Sequence, residues 1–218
     1  MRPLDLLAHA YTPLLGLADR VDEDQGWTPT HLPGWAVRDL LLHLAGDAQR
    51  ALVALGTPSD QPVDTDEVGY WSAWSPGTAG AQAGLRGTRI MASAWTSVRG
   101  PADLYAETAR AVLVLAAAAD PSGVVGTQGR TLTVGSLLHT LVVEAAIHHL
   151  DLEPVLPAAP APPVLAEVRR VLDGLLGQPA PAEWDDVRYL RVGTGRLPLR
   201  PDERAALGGL ADRFPLFG

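Results

Sequence analysis

Glu144 and His148 stand four residues apart within the apolar run from Val134 to Leu150. On an α-helix a four-residue step turns by about 40° net and rises about 6 Å, so both side chains leave one face and can reach one ion. A carboxylate in such surroundings is costly unless it is paired, hydrogen-bonded or metal-bound. Glu144 therefore needs a partner. An arginine opposite it, with His148 a satisfied core histidine, meets that need; so does a metal ion. His43, flanked by Leu42 and Leu44 in an earlier amphipathic stretch, favours the metal, because a helical bundle can bring it opposite Glu144 and His148. Two neutral imidazoles and one carboxylate leave a coordination position open for water or substrate, the usual arrangement of catalytic zinc. Nickel, iron and manganese accept the same donors.

Other polar residues compete for the role. Asp39 and Asp47 flank His43 at four residues on either side, where a solvated helix face or a helix-start charge is the commoner reading. His149 is turned about 100° from His148 and reads as structural or as a supporting partner. His9, His31 and His139 have no partner at ligand spacing.

These residues need helices to position them. Apolar periodicity predicts a first helix from Leu4 to Val21, kinked or restarted at Pro13, and a second over residues 36–55. Helical character returns over 81–98, breaks at Gly100-Pro101, and resumes to Ala119 with Leu104, Ala111, Val112 and Leu115 on one side. After a polar turn from Thr127 to Arg130, Thr131 or Thr133 can cap the apolar helix that carries Glu144 and His148. A helix so uniformly apolar belongs at the centre of a bundle. Between Thr57 and Gly80 a Pro-, Gly- and Ser-rich loop carries Tyr70, Trp71 and Trp74, pinned to the core or lining a site. Prolines 154, 157, 160, 162 and 163 then mark a linker. Beyond it the pattern predicts a helix (164–176), a short strand (187–192), a turn at Gly193-Thr194-Gly195 and a helix (202–212). The expected fold is mainly α: a four-helix bundle over residues 1–155, followed by a Pro-rich linker and small α/β appendage over 156–218.

The composition narrows the function. With 218 residues and 47% hydrophobic content the chain can bury a full core. No apolar run reaches the roughly 18–20 residues that span a bilayer, and the first residues lack a secretion signal, so a cytoplasmic location is expected. A formal charge of −8 disfavours nucleic acid. Cysteine is absent, so any thiol chemistry must import its sulfur. Every basic side chain is arginine, a bias attributable to a GC-rich genome.

The segment from Trp27 to Ala45, together with Thr133-Val134-Gly135 and the run from Glu144 to Leu152, resembles the DinB-like superfamily. Within it the likeness is to the branch of mycothiol-dependent maleylpyruvate isomerase and related mycothiol S-transferases. It extends over about residues 5–155, and the tail, with Gly193-Thr194-Gly195-Arg196 and Arg213-Phe214-Pro215, is also similar. One departure is Ala36, where relatives carry a capping Ser or Thr, a loss of ~1 kcal/mol at the helix start. The resemblance implies a metal held between bundle helices by His43, Glu144 and His148. It implies zinc as the first choice of ion and mycothiol as cosubstrate.

On that reading the metal lowers the pKa of a bound thiol, which attacks an electrophilic small molecule. Addition, rotation and elimination would isomerise a double bond; retention of the conjugate would be transfer. An anionic thiol or substrate calls for cations, and Arg89 and Arg196 are candidates; Asp151 is a candidate to orient a ligand or to bind the thiol. Two rivals remain: a metal-dependent hydrolase, since the same ligands can activate water, and a non-catalytic bundle that binds a small molecule.

Overall fold

The structure, a computed structural model, describes every residue except 73 and 75–77, and the backbone alone at 79–81. In chain order the elements are α1 (Pro3–Arg20), α2 (Glu23–Gly26), α3 (Val37–Gly56), α4 (Glu67–Trp71), α5 (Ala79–Ser93) and α6 (Arg99–Ala118). An antiparallel pair follows, β1 (Val124–Thr127) and β2 (Arg130–Thr133), and then α7 (Val134–Asp151), α8 (Pro162–Leu176), α9 (Asp186–Gly193) and α10 (Pro201–Leu207), which runs into a 3₁₀ turn at Gly208–Arg213. The chain is mainly helical, as its periodicity predicts.

Helices α1, α3, α6 and α7 form the bundle, with α3 against α6 and α1 against α7. Its interior is aliphatic: Leu7, Leu14 and Leu17 from α1, Leu40 and Leu41 from α3, Val112 from α6, and Leu137 and Leu141 from α7 are fully buried. Helix α1 runs unbroken through Pro13. Thr133 caps α7, its side chain accepting from the Ser136 N–H at 3.0 Å. At α3 only half a capping box forms: the Asp39 carboxylate accepts from the Ala36 N–H at 2.8 Å, and Ala36 has no oxygen to answer it. Asp39 is thus a helix-start residue. Among the described residues no helix is long and apolar enough to cross a membrane.

Four local expectations are corrected. The break before α6 falls at residues 94–98, and Gly100-Pro101 lies inside the first turn of the helix. Proline is tolerated there because first-turn N–H groups have no intrahelical partner. The break is made by side chains from elsewhere. Buried Arg38 of α3 donates to the carbonyls of Ala92 and Trp95, both at 2.6 Å, and Glu23 accepts from the Val98 N–H at 3.0 Å. Leu115 of α6 is exposed and lies off the buried side.

The third correction concerns residues 187–192, which lie in helix α9. Their content of Val187, Tyr189 and Val192 favours a strand, but the Asp185 side chain accepts from the Arg188 N–H at 2.8 Å and starts a helix. The sheet lies instead at 124–133, around the polar turn that precedes α7. Gln128 (φ 49°) and Gly129 (φ 75°) both adopt positive φ, which suits a two-residue hairpin.

The segment after the linker packs on the bundle. Helix α8 lies on α7 and α4, and α9 on α8. Trp71 of α4 stacks on Phe217 at 4.6 Å between ring centroids, so the tail and the aromatic loop are joined. Tyr70 and Trp71 are buried and Trp74 is exposed; residues 73 and 75–77 of that loop lie outside the described residues.

Candidate metal centre

Glu144 and His148 project from α7 as the four-residue spacing requires, and α3 brings His43 to meet them. The Glu144 Oε1 atom lies 2.9 Å from His43 Nε2 and 3.3 Å from His148 Nε2. One donor atom from each residue falls within 4.8 Å of the other two. The imidazole rings meet edge to face, with centroids 4.7 Å apart. The compensation that Glu144 needs therefore comes from two histidines rather than an arginine.

Tetrahedral ligands about 2.0–2.1 Å from zinc stand about 3.3 Å from one another. The 3.3 Å between Glu144 and His148 matches that edge and the 2.9 Å to His43 is a few tenths of an ångström shorter, so the donor set fits a divalent ion after a small shift of the His43 ring. Exposure grades across the site: the His148 side chain is 7% exposed, Glu144 17% and His43 32%. The open side is at His43.

His148 is held from behind. Its Nδ1 lies 2.9 Å from Asp151 Oδ2, and since a carboxylate only accepts, Nδ1 carries the proton and leaves Nε2 for an ion. Arg196 in turn grips Asp151, Nη2 to Oδ2 at 3.0 Å and Nε to Oδ1 at 3.3 Å. Without a metal these charges act on the titrations. Burial works against a charged His148, but its bonds to Asp151 and Glu144 outweigh burial and raise its pKa to about 9. Burial likewise opposes ionisation of Glu144, yet the bonds from His148 and His43 hold its carboxyl well below the usual range. His43 is less constrained. Among the described residues its ring hydrogen-bonds Glu144 alone, with the edge of Trp35 packed at 5.4 Å between centroids.

Asp47 is not on a solvated face. It pairs with Arg50, whose Nη2 and Nε reach Oδ1 at 2.6 and 2.9 Å, and both side chains are only 12% exposed. Arg50 also donates to Thr127 Oγ1 at 3.3 Å and lies over the Tyr70 ring, while the Tyr70 hydroxyl bonds Gln128 at the hairpin tip. The polarity of the pair gave no hint of its burial; the positional clue is Arg50 three residues after Asp47 on a face that also carries buried Ala51 and Ala54.

The remaining candidates separate. Asp151 and Arg196 line a small cleft of about 140 Å³ with Ile147, Leu150, Leu190 and Leu197, beside the ion pairs that Glu153 makes with His31 and Arg191. Arg89 is exposed on α5, where a Cβ placed on Gly34 would meet its Nη1 at 3.4 Å. His149 is structural, its Nε2 bonded to the Ala158 carbonyl at 2.7 Å. His139 meets Glu167 at 2.8 Å, away from the centre.

Comparison with known families matches residues 7–153 to the mycothiol maleylpyruvate isomerase N-terminal domain. No curated protein and no solved structure matches the chain.

Proposed function

The chain belongs to the mycothiol maleylpyruvate isomerase N-terminal domain family, and from that premise we propose that it is a metal-dependent enzyme. In this reading His43, Glu144 and His148 hold a divalent ion, zinc first, and a low-molecular-weight thiol, mycothiol, is activated for transfer to, or isomerisation of, an electrophilic small molecule. The observation that carries the reading is the convergence of two imidazole nitrogens and one carboxylate oxygen from α3 and α7 in a family of this description. The ion would supply a thiolate at neutral pH by lowering the pKa of a thiol beside it.

The chain's own residues do the rest. Glu144 and the two histidines are the ligands, and Asp151 keeps the His148 Nε2 lone pair directed at the ion. Buried Leu44 and the buried α7 face shield the Glu144 and His148 side of the centre, and the more exposed His43 side is left for the thiol and its electrophile. Arg89, exposed beside Gly34, is the group proposed to recognise the polar parts of thiol or substrate, while Asp151, bonded to Arg196 at the cleft, is proposed to orient the ligand His148. The bundle of residues 1–155 is the metal-binding unit, and residues 156–218 the linker and the cover packed against it. A small thiol and a small electrophile as partners, and a cytoplasmic location, follow from the same reading.

Metal analysis of purified protein beside Glu144→Ala and His148→Ala, with mycothiol then titrated, tests the proposal. Near-stoichiometric metal, lost in both variants, together with thiol binding to the loaded protein is the expected result. Protein that takes up neither zinc nor nickel would overturn it. Turnover of an ester or amide without added thiol would turn the assignment to hydrolysis.

A further inference from the structure

We propose that Arg196 is a positioning residue for the metal centre: through Asp151 it fixes the His148 ring, so that retention of the ion depends on the C-terminal segment. The inference rests on the reading that His43, Glu144 and His148 hold a metal.

The geometry is that of a clamp. Asp151 is 1% exposed and accepts from three directions, one bond from His148 and two from the guanidinium. A carboxylate held by one hydrogen bond can swing about its side-chain torsions; a guanidinium fork pins both oxygens and sets the plane. The remaining nitrogen of Arg196, Nη1, donates to the Thr194 carbonyl at 3.0 Å, so all three nitrogens have acceptors within the protein. A residue spent in this way holds a neighbour rather than waiting for a ligand.

The backbone around it is equally committed. Gly195 turns the chain at φ 73°, a conformation that disfavours side chains, and the Arg196 N–H then bonds the Arg191 carbonyl at 2.7 Å. Helix α9 thus ends in a turn that delivers Arg196 to the C-terminus of α7, 45 residues back along the chain. His43 has no counterpart to this support among the described residues. The centre is therefore built with one ligand fixed by the C-terminal segment and one free to adjust. Loss of Arg196 would leave Asp151 a buried carboxylate with one partner, free to rotate or to take up a proton, and the His148 ring would lose its fixed tautomer.

Full-length zinc-loaded wild type, Arg196→Ala, Arg196→Lys and Asp151→Asn are compared by competition with a chromogenic chelator, following both affinity and release rate. Changes in such outer partners weaken metal binding by about 10–100-fold. Asp151→Asn is expected within that range, Arg196→Ala near its lower end with faster release, and Arg196→Lys between Ala and wild type, because an ammonium cannot span both oxygens. ¹⁵N NMR of the His148 ring should show a single Nδ1-protonated form in wild type and exchange broadening in Arg196→Ala. Arg191→Ala, which removes a neighbouring ion pair from α9, should hold zinc as wild type does and so separates positioning from a general loosening of the segment. Arg196→Ala with wild-type affinity, release rate and ring spectrum would overturn the proposal. Should that variant not fold, Arg196→Gln and Arg196→Lys with zinc as tightly held as in wild type would do the same. Wild type that takes up no zinc would overturn the metal reading itself, a distinct failure.

Discussion

Replacing Arg50 by methionine in protein stripped of metal should destabilise the fold by about 3 kcal/mol, the low end of the roughly 3–5 kcal/mol for removing one partner of a buried ion pair. The figure follows from the surroundings of Asp47. Burial pushes its pKa up, Arg50 opposes that, and Glu144 adds a like charge nearby. Without the guanidinium the carboxylate keeps little solvent and loses its paired counter-charge. The low end applies because each side chain, 12% exposed, retains a little water contact. Replacing both partners by apolar residues of similar size removes desolvation and attraction together, so Asp47→Leu/Arg50→Met should return to within about 1 kcal/mol of wild type. Urea unfolding of the three proteins with chelator present measures this. For a chain of this length each kcal/mol shifts the melting temperature by roughly 2–4 °C, so the single variant should melt about 6–12 °C lower. Arg50→Met within about 0.5 kcal/mol of wild type, the range of an ordinary surface change, would refute the reasoning. So would a double variant as unstable as the single.

His148→Ala should cost the metal-free protein more stability than His43→Ala, because the first leaves Asp151 and Arg196 buried without their histidine while the second removes a ring that is 32% exposed; thermal melts of the two variants decide it. The His148 pKa, raised to about 9 from an ordinary 6.5, contributes stability that is complete below about pH 6.5 and lost as pH rises through about 9. The melting temperature of metal-free protein should therefore fall across that window, and zinc uptake at pH 7 should release a proton, measurable by calorimetry in buffers of different ionisation enthalpy. At the acid end, Glu203 is held at about 2 by its bonds from Arg188 and Glu167 at about 2 by His139 and Arg170 against burial. Their contributions are present above about pH 4.5 and lost as pH falls toward 2, and Arg188→Ala should raise the midpoint of acid unfolding followed by circular dichroism.

Much of this protein is written locally. The four bundle helices follow from apolar residues at helical spacing, a preference each segment expresses by itself. The Glu144 and His148 pair is legible for the same reason, since four residues on a helix fix the relative direction of two side chains whatever surrounds them. His43 is marked by its leucine-flanked place on a second amphipathic helix, and the resemblance selects the same three residues. Where local signals compete, sequence reading fails in a recognisable way. Residues 187–192 are rich in strand-forming Val and Tyr but obey the Asp185 cap, and the break before α6 is set by Arg38 and Glu23, 54 and 75 residues away from the groups they bond.

Tertiary structure decided which of the marked residues touch. His43 reaches Glu144 across 101 residues because α3 and α7 pack together in the bundle, and Arg196 reaches Asp151 across 45 because α8 and α9 fold back on α7. Neither contact leaves a trace in local spacing. Burial was decided there too: Asp47 and Arg50 look like any solvated pair three residues apart, and only the hairpin and Tyr70 closing over them turn the pair into an interior one. The physical reason is common to all three. The direction in which a side chain leaves its own helix is a local property, whereas what stands opposite it depends on how separate helices pack, and one residue contributes little to that choice.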